Sequence, residues 1–340
     1  MSVYLVTGAS GAVGAHAAKH LLALGHEVVS IRHDEHPFDT ASLIGIRDQI
    51  TWVRGSILDE RLCKRIVADY NVQAIWHMAA LPLVQVATRT CTPIFQANLM
   101  GTVHLLEAVR ENHWAGKDIR FIQFGTDKEY GDAGKVPYTE DMPLHGLGIY
   151  ECSKAAASMA AHAYAECGFA TKVLVTRCCN ILAPGDLNLA RVVPRAIVPA
   201  LRNEAPRFYR TEYQREFIHV DDVIEALVVL DKYLCDEPVN VVHGQAFNIG
   251  SGHSRNMDEV ISEVLSYFPG LKPEWIEAPP ISRIEIPFQT LDATKIRNTV
   301  GWTSRIPFGS AVEKLVDWWR TNFDRLPASV KTWRAQGWHG

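Results

Sequence analysis

Tyr150 and Lys154 stand at i and i+4 in the run Tyr150-Glu151-Cys152-Ser153-Lys154. On a helix that spacing puts both side chains on one face. An ammonium beside a phenol favours the phenolate, so Tyr150 becomes a usable base near neutral pH. Lys154 can also hold a ribose. A hydroxyl at the end of the preceding strand completes such a site, and Phe121-Ile122-Gln123-Phe124-Gly125-Thr126 delivers Thr126 there. A tyrosine and lysine at this spacing also occur on ordinary exposed helices, so the rest of the chain must supply the context.

That context begins at the N-terminus. Thr7-Gly8-Ala9-Ser10-Gly11-Ala12-Val13-Gly14 follows a strand-like run and opens a helical one. Gly8 permits the tight turn, Gly11 lets the backbone approach a pyrophosphate, and Gly14 lets the helix pack closely on the sheet. Ser10, Ala12 and Val13 line the same loop, and the helix N-terminus turns amides and a positive dipole toward an anion. The end of the second strand selects the dinucleotide: an acid suits the ribose hydroxyls of NAD, an arginine the phosphate of NADP. Arg32 and His33 stand there, followed by Asp34. The expectation is NADP, with NAD open if Arg32 is only a solvated surface residue.

The elements that must position these residues read as α/β. Strand-like runs fall at Val3–Val6, Glu27–Ile31, Thr51–Arg54, Ala74–Met78, Arg120–Phe124 and Lys172–Thr176. Helical patterns lie between them, at Gly14–Leu24, Glu60–Asp69, Asn98–Glu111 and Tyr150–Glu166. Strands alternating with helices imply parallel pairing and right-handed crossovers, the doubly wound Rossmann-type sheet. After Asn180 prolines crowd together and the alternation returns only at Phe217–Val220 and Phe247–Ile249. The expected organisation is a dinucleotide-binding domain over 1–180 to which 217–250 returns. A smaller substrate-binding lobe over 181–216 and 251–340 completes it.

Composition narrows the class. The 340 residues are 47% hydrophobic and 21% charged with net charge −4, ordinary for a globular protein and without general attraction for nucleic acid. Seven scattered cysteines form no CxxC pair, so neither a zinc site nor a disulfide framework is expected, and a reducing cytoplasm is. The start MSVYLVTGAS lacks a signal-peptide pattern, and no run approaches the roughly 20 apolar residues that span a bilayer. Fourteen histidines show no metal-binding spacing; His219 is read as structural and no metal is expected. Trp333 and Trp338 in the tail are read as packing residues.

Taken together, the sequence resembles the extended short-chain dehydrogenase/reductase family. The match includes His77-Met78-Ala79-Ala80, Asn98-Leu99-Met100-Gly101-Thr102, Arg177-Cys178-Cys179-Asn180, Arg215 through Asp222, Phe247 through Gly252, Leu291 through Lys295 and Val300-Gly301-Trp302. The resemblance implies NAD(P) bound by the N-terminal part, with Ser56, Ile57, Ala79, Ala80 and Asn98 among its contacts. It implies a nucleotide-diphosphate sugar bound by the C-terminal lobe, with Leu83, Asn180, Arg191, Arg215 and Arg283 as contacts. Guanidinium groups suit the diphosphate. It further implies a homodimer through the helices near 98–111 and 150–166.

The segment Thr126-Asp127-Lys128-Glu129-Tyr130-Gly131 is similar to that of nucleotide-sugar 4,6-dehydratases, and its Asp-Lys version to CDP-glucose 4,6-dehydratases. Ala80-Leu81-Pro82-Leu83-Val84 and the stretch from Gly185-Asp186 to Pro194 look like the same branch. In such a reaction Asp127 is the candidate acid and Lys128 the candidate base, with Glu129 competing for the second role. The alternatives are a nucleotide-sugar epimerase, which needs no such pair, and a non-catalytic NAD(P)-binding regulator. Three departures stand out: Gly55-Ser56 replaces Gly-Asp, Arg283-Ile284-Glu285 replaces a Pro-Gly-Asp turn, and no proline precedes Tyr150.

Overall fold

The computed structural model describes residues 1–81, 91–169, 172–236, 241–277 and 285–333. Its centre is a seven-stranded sheet: β1 (Val3–Thr7), β2 (Glu27–Arg32), β3 (Thr51–Arg54), β4 (Ala74–His77), β5 (Arg120–Thr126), β6 (Val173–Cys178) and β10 (Ala246–Ile249). The order is β3-β2-β1-β4-β5-β6-β10 and every pairing is parallel. Helices cover both faces, which explains why β4 and β6 are buried at every position. The strand order reverses between β1 and β4, the place where such sheets open a crevice beyond the carboxyl ends of their strands.

Two helices carry the chemistry-bearing residues. Ala12–Ala23 starts at the last glycines of the loop and buries Gly14, Ala15, Ala17, Ala18 and Leu21, the small face that lets it lie close to the sheet. Ile149–Glu166 buries Lys154, Ala157, Ser158, Ala161 and Ala165, a stripe at three- and four-residue spacing packed on β5 and β6. The helix expected from Asn98 is longer than the pattern indicated. It begins with Thr92–Phe95, widens into a π turn over Gln96–Met100 and continues as Gly101–Trp114. Asn98 therefore sits inside the wide turn.

The second layer is smaller. β7 (Asn180–Leu182) pairs parallel with β9 (Gln214–His219), which pairs antiparallel with β11 (Ser254–Asn256). β8 (Arg207–Tyr209) pairs parallel with β12 (Glu274–Ile276). The helices Val192–Leu201, Met257–Ser266 and Phe308–Asn322 close a separate core around Val193, Ile197, Val264, Leu315 and Trp319, against which Trp333 packs. Trp338 lies outside the described residues. The strand read at 217–220 is β9, in this smaller sheet; the chain rejoins the central layer only after it. His219 caps the helix Val220–Cys235 by accepting from the Asp221 amide at 3.2 Å, and that helix and β10 belong to the central layer.

Candidate active site

A cleft of about 1690 Å³ runs along the carboxyl ends of the central strands to the smaller layer. That exceeds the usual volume of a drug-sized pocket and leaves room for two ligands. At one end lies the glycine loop, with Gly8, Ser10, Gly11, Ala12, Val13 and Gly14 all on the wall. Gly8 has φ +75°, and a Cβ there would stand 3.0 Å from the backbone of Ala79. A Cβ on Gly14 would collide with the carbonyl of Gly8, its carbon only 2.6 Å away. No side chain caps the following helix, so its first-turn amides face the cleft end without intrahelical acceptors. The residues present therefore fit a dinucleotide pyrophosphate.

His33, Ser56, Ile57, Ala79 and Ala80 line the same half of the cleft. Arg32 and Asn98 do not. Arg32 is 8% exposed; its guanidinium lies 5.2 Å from the Trp52 ring and its Nε donates to the Asp34 carbonyl, while Asp34 itself reaches the wall. Asn98 turns inward from the π turn: its amide oxygen accepts from the Leu81 backbone at 2.7 Å and its nitrogen donates to Ser153 at 2.9 Å. It braces the end of β4 against the helix of Tyr150 instead of lining the cleft.

Thr126 ends β5 and caps a 3-10 turn over Asp127–Tyr130. The Glu129 carboxylate accepts from the Thr126 amide at 3.0 Å, closing a capping box. Glu129 then pairs with Arg177 of β6 at 3.1 Å, both side chains buried, so it lies beneath the turn and not on the cleft wall. Of the two candidate bases only Lys128 lines the cleft, with its ammonium donating to Gln289 at 3.0 Å. Asp127 is 2% exposed. One carboxylate oxygen accepts from the Thr126 hydroxyl at 3.0 Å and the other is buried with no partner. Burial pushes this carboxyl above its usual range, opposed by Lys128 and Arg215.

Tyr150 and Lys154 also line the cleft. Burial raises the Tyr150 hydroxyl, and the cation that opposes this is Arg191, not Lys154 as the spacing led one to expect. The Lys154 ammonium is turned to the carbonyl of Phe124, and burial pushes it below its ordinary value against the pull of Glu129. Asn180, Arg191 and Arg215 complete the substrate half. Asn180 donates to the Glu216 carbonyl at 3.0 Å, Arg191 pairs with Asp186 at 2.8 Å, and Arg215 pairs with Glu285 at 3.2 Å. Leu83, Pro82 and Val84, with Arg283, lie outside the described residues.

Sequence reasoning missed Arg195, Phe208, Tyr209 and Tyr213, which line the same half, and Gln289, which holds Lys128. An arginine inside the otherwise apolar helix VVPRAIVPAL was the available signal. No spacing rule pointed to Gln289. No group of three metal-ligating side chains occurs among the described residues, and none of their helices is long and apolar enough to cross a membrane.

Comparison with known proteins places these features in a lineage. A family model described as GDP-mannose 4,6 dehydratase matches residues 5–315. The dTDP-glucose 4,6-dehydratase of Xanthomonas campestris pv. campestris (strain ATCC 33913) is 28% identical over 341 residues, covering 95% of this chain and 94% of its own. The crystal structure of dTDP-glucose 4,6-dehydratase from Bacillus anthracis in complex with NAD superposes with TM-score 0.81 at 25% identity, covering 95% of this chain and 98% of that one. The UDP-glucose 4-epimerase of Thermotoga maritima, solved with UDP-glucose, shares the fold at TM-score 0.81 and 24% identity, covering 94% of this chain and 99% of that one.

Proposed function

The chain belongs to the GDP-mannose 4,6-dehydratase family, and from that premise we propose that it is a nucleotide-sugar 4,6-dehydratase, converting an NDP-hexose to the NDP-4-keto-6-deoxyhexose. The observation that carries the reading is the pair Asp127 and Lys128, both on the cleft wall directly after Thr126. An epimerase has no use for such a pair. A nicotinamide dinucleotide held at the glycine loop would supply the hydride acceptor and donor that a transfer from carbon 4 to carbon 6 needs. Tyr150 takes the proton of the 4-hydroxyl, with Arg191 offsetting part of the cost of its burial. The 4-ketone so formed acidifies carbon 5, whose proton Lys128 removes in its neutral amine form, becoming the ammonium. Asp127 gives its proton to the departing 6-hydroxyl, which leaves as water; its raised pKa keeps that proton available. Asn180, Arg191 and Arg215 hold the sugar diphosphate.

The residues 1–180, rejoined after the smaller layer, hold the dinucleotide, and the remainder holds the sugar nucleotide. The finer choice of cofactor is NADP. Its support is Arg32 at the end of β2, with Nη2 buried and without a partner, and His33 on the wall. Asp34, on the same wall, is the competing group and suits NAD. Titration with each dinucleotide decides: tighter NADP binding that Arg32→Ala abolishes supports Arg32, and tighter NAD binding moves the role to Asp34. The protein works in the cytoplasm as a homodimer, joined through Gly101–Trp114 and Ile149–Glu166, which pack on each other and expose Met159 and Trp114.

The test of the activity is incubation with CDP-, GDP-, dTDP- and UDP-hexoses plus cofactor, followed by mass spectrometry. Loss of one water from one sugar nucleotide is expected. An isomer of unchanged mass would replace the dehydratase with an epimerase, and cofactor binding without any turnover of sugar would favour the regulator.

A further inference from the structure

Arg195 stands in the second turn of Val192–Leu201 and is 5% exposed. It forms no ion pair among the described residues. Its Nε donates to the Arg207 carbonyl at 3.1 Å, its guanidinium lies 5.5 Å from the Phe208 ring, and its Nη2 is buried without a partner. A buried cation of this kind is costly unless something completes its hydrogen bonds. Yet Arg195 lies on the wall of the cleft. Its charge is poised for a ligand and not for the fold.

Position says which part of a ligand. Arg191, one turn earlier on the same helix, pairs with Asp186, and Arg215 of β9 pairs with Glu285. Arg195 instead faces β8, through the Arg207 carbonyl and the Phe208 ring. It therefore stands one turn along the helix from Arg191, against the β8 side of the cleft and apart from the Asp186 and Glu285 pairs of the two arginines suited to a diphosphate. Phe208, Tyr209, Tyr213 and Met257 share that stretch of wall and offer flat or apolar surfaces for stacking.

We propose that Arg195 reads the base of the sugar nucleotide, a role that rests on the nucleotide-sugar function above. With Nε occupied, the outer edge of the guanidinium presents two parallel N–H donors. It matches a base edge with two adjacent acceptors: O2 and N3 of cytosine, or O6 and N7 of guanine. Uracil and thymine place an N–H between their carbonyls, so donor would meet donor. A site whose buried donors are left unpaired rejects such a base.

The experiment is equilibrium binding of CDP, GDP, UDP and dTDP to the full chain loaded with its dinucleotide, for wild type, Arg195→Met and Arg195→Lys. Wild type is expected to hold CDP or GDP roughly 10-fold or more tighter than UDP and dTDP. R195M closes that gap, and so does R195K, which keeps the charge and loses the fork. Unchanged dinucleotide binding shows that the variants are folded. The proposal is overturned if R195M weakens all four diphosphates equally, which would mean a phosphate contact. It is equally overturned if the preference survives substitution, if R195K behaves as wild type, or if UDP or dTDP binds wild type best. If none of the four binds wild type, the nucleotide-sugar function itself fails, and this role with it.

Discussion

The Lys128 ammonium donates to the side-chain carbonyl of Gln289, 161 residues further along the chain, at 3.0 Å. Gln289 is fully buried and its amide nitrogen has no partner, so it is held by packing and in turn holds the lysine. Gln289→Leu is expected to lower kcat roughly 10- to 100-fold while KM changes little, because orientation of the base and not substrate binding is lost. Equal loss in both constants would make Gln289 a substrate contact instead.

Asp127 must be protonated to act as the acid, and burial raises its pKa from the ordinary 3.8. Activity should therefore fall as pH climbs through that raised value. Asp127→Asn should reduce kcat by about 10²- to 10⁴-fold and erase this limb of the pH–rate profile. A profile unchanged in the Asn variant would remove Asp127 from the acid's role.

Glu129 and Lys128 make a contrasting pair. Glu129→Gln leaves the Arg177 guanidinium buried without its counter-charge, and a loss of about 3–5 kcal/mol in unfolding free energy is expected in urea titration. Lys128→Met should leave stability nearly intact and abolish water loss. If the Gln variant were stable but inactive, Glu129 would be the base.

Gly14 is confined by the Gly8 carbonyl. Gly14→Val should push the helix off the loop, at a cost of about 1–3 kcal/mol, and weaken dinucleotide binding measured by fluorescence titration. A variant that binds as wild type would mean that the loop is not the phosphate site.

His77 sits between the hydroxyls of Thr7 and Thr102, at 2.7 and 3.0 Å, and burial holds its pKa down, from 6.5 to about 3. The unfolded chain takes this proton first. Stability is thus complete above pH 6.5 and declines as pH falls toward about 3. In His77→Asn the slope of unfolding free energy against pH across that window should drop by about one proton; an unchanged slope would assign the titration elsewhere.

Much of this was legible in the residues. The six strands before Asn180 lie within a few residues of where short strand-like runs mark them, and in five of them, β3 being the exception, burial on both faces leaves a dense signal. The loop glycines, Thr126, Tyr150 and Lys154 come together because a local βα pattern fixes each one. Long-range pairings were not legible. That Gln289 meets Lys128, that Glu129 goes under the turn to Arg177, and that Arg191 rather than Lys154 offsets Tyr150 all depend on how the second layer sits on the first. The assignment of β9 to the smaller sheet depends on pairing with β7 and β11, which periodicity does not carry.

Between β6 and β7 the chain passes from one sheet to the other with only Cys179 intervening, and from β9 it enters the helix Val220–Cys235 without a spare residue. Hinge motions need a few residues free to absorb large dihedral changes. These crossings offer none, and buried side chains bracket them. At these two points the halves are tied without slack, which favours two ligands meeting at a spacing set in advance. The entropy of aligning them falls on the folding of the chain and not on the encounter. Insertions or glycines at residues 178–180 or 219–220 would loosen that spacing without touching a single wall residue's chemistry.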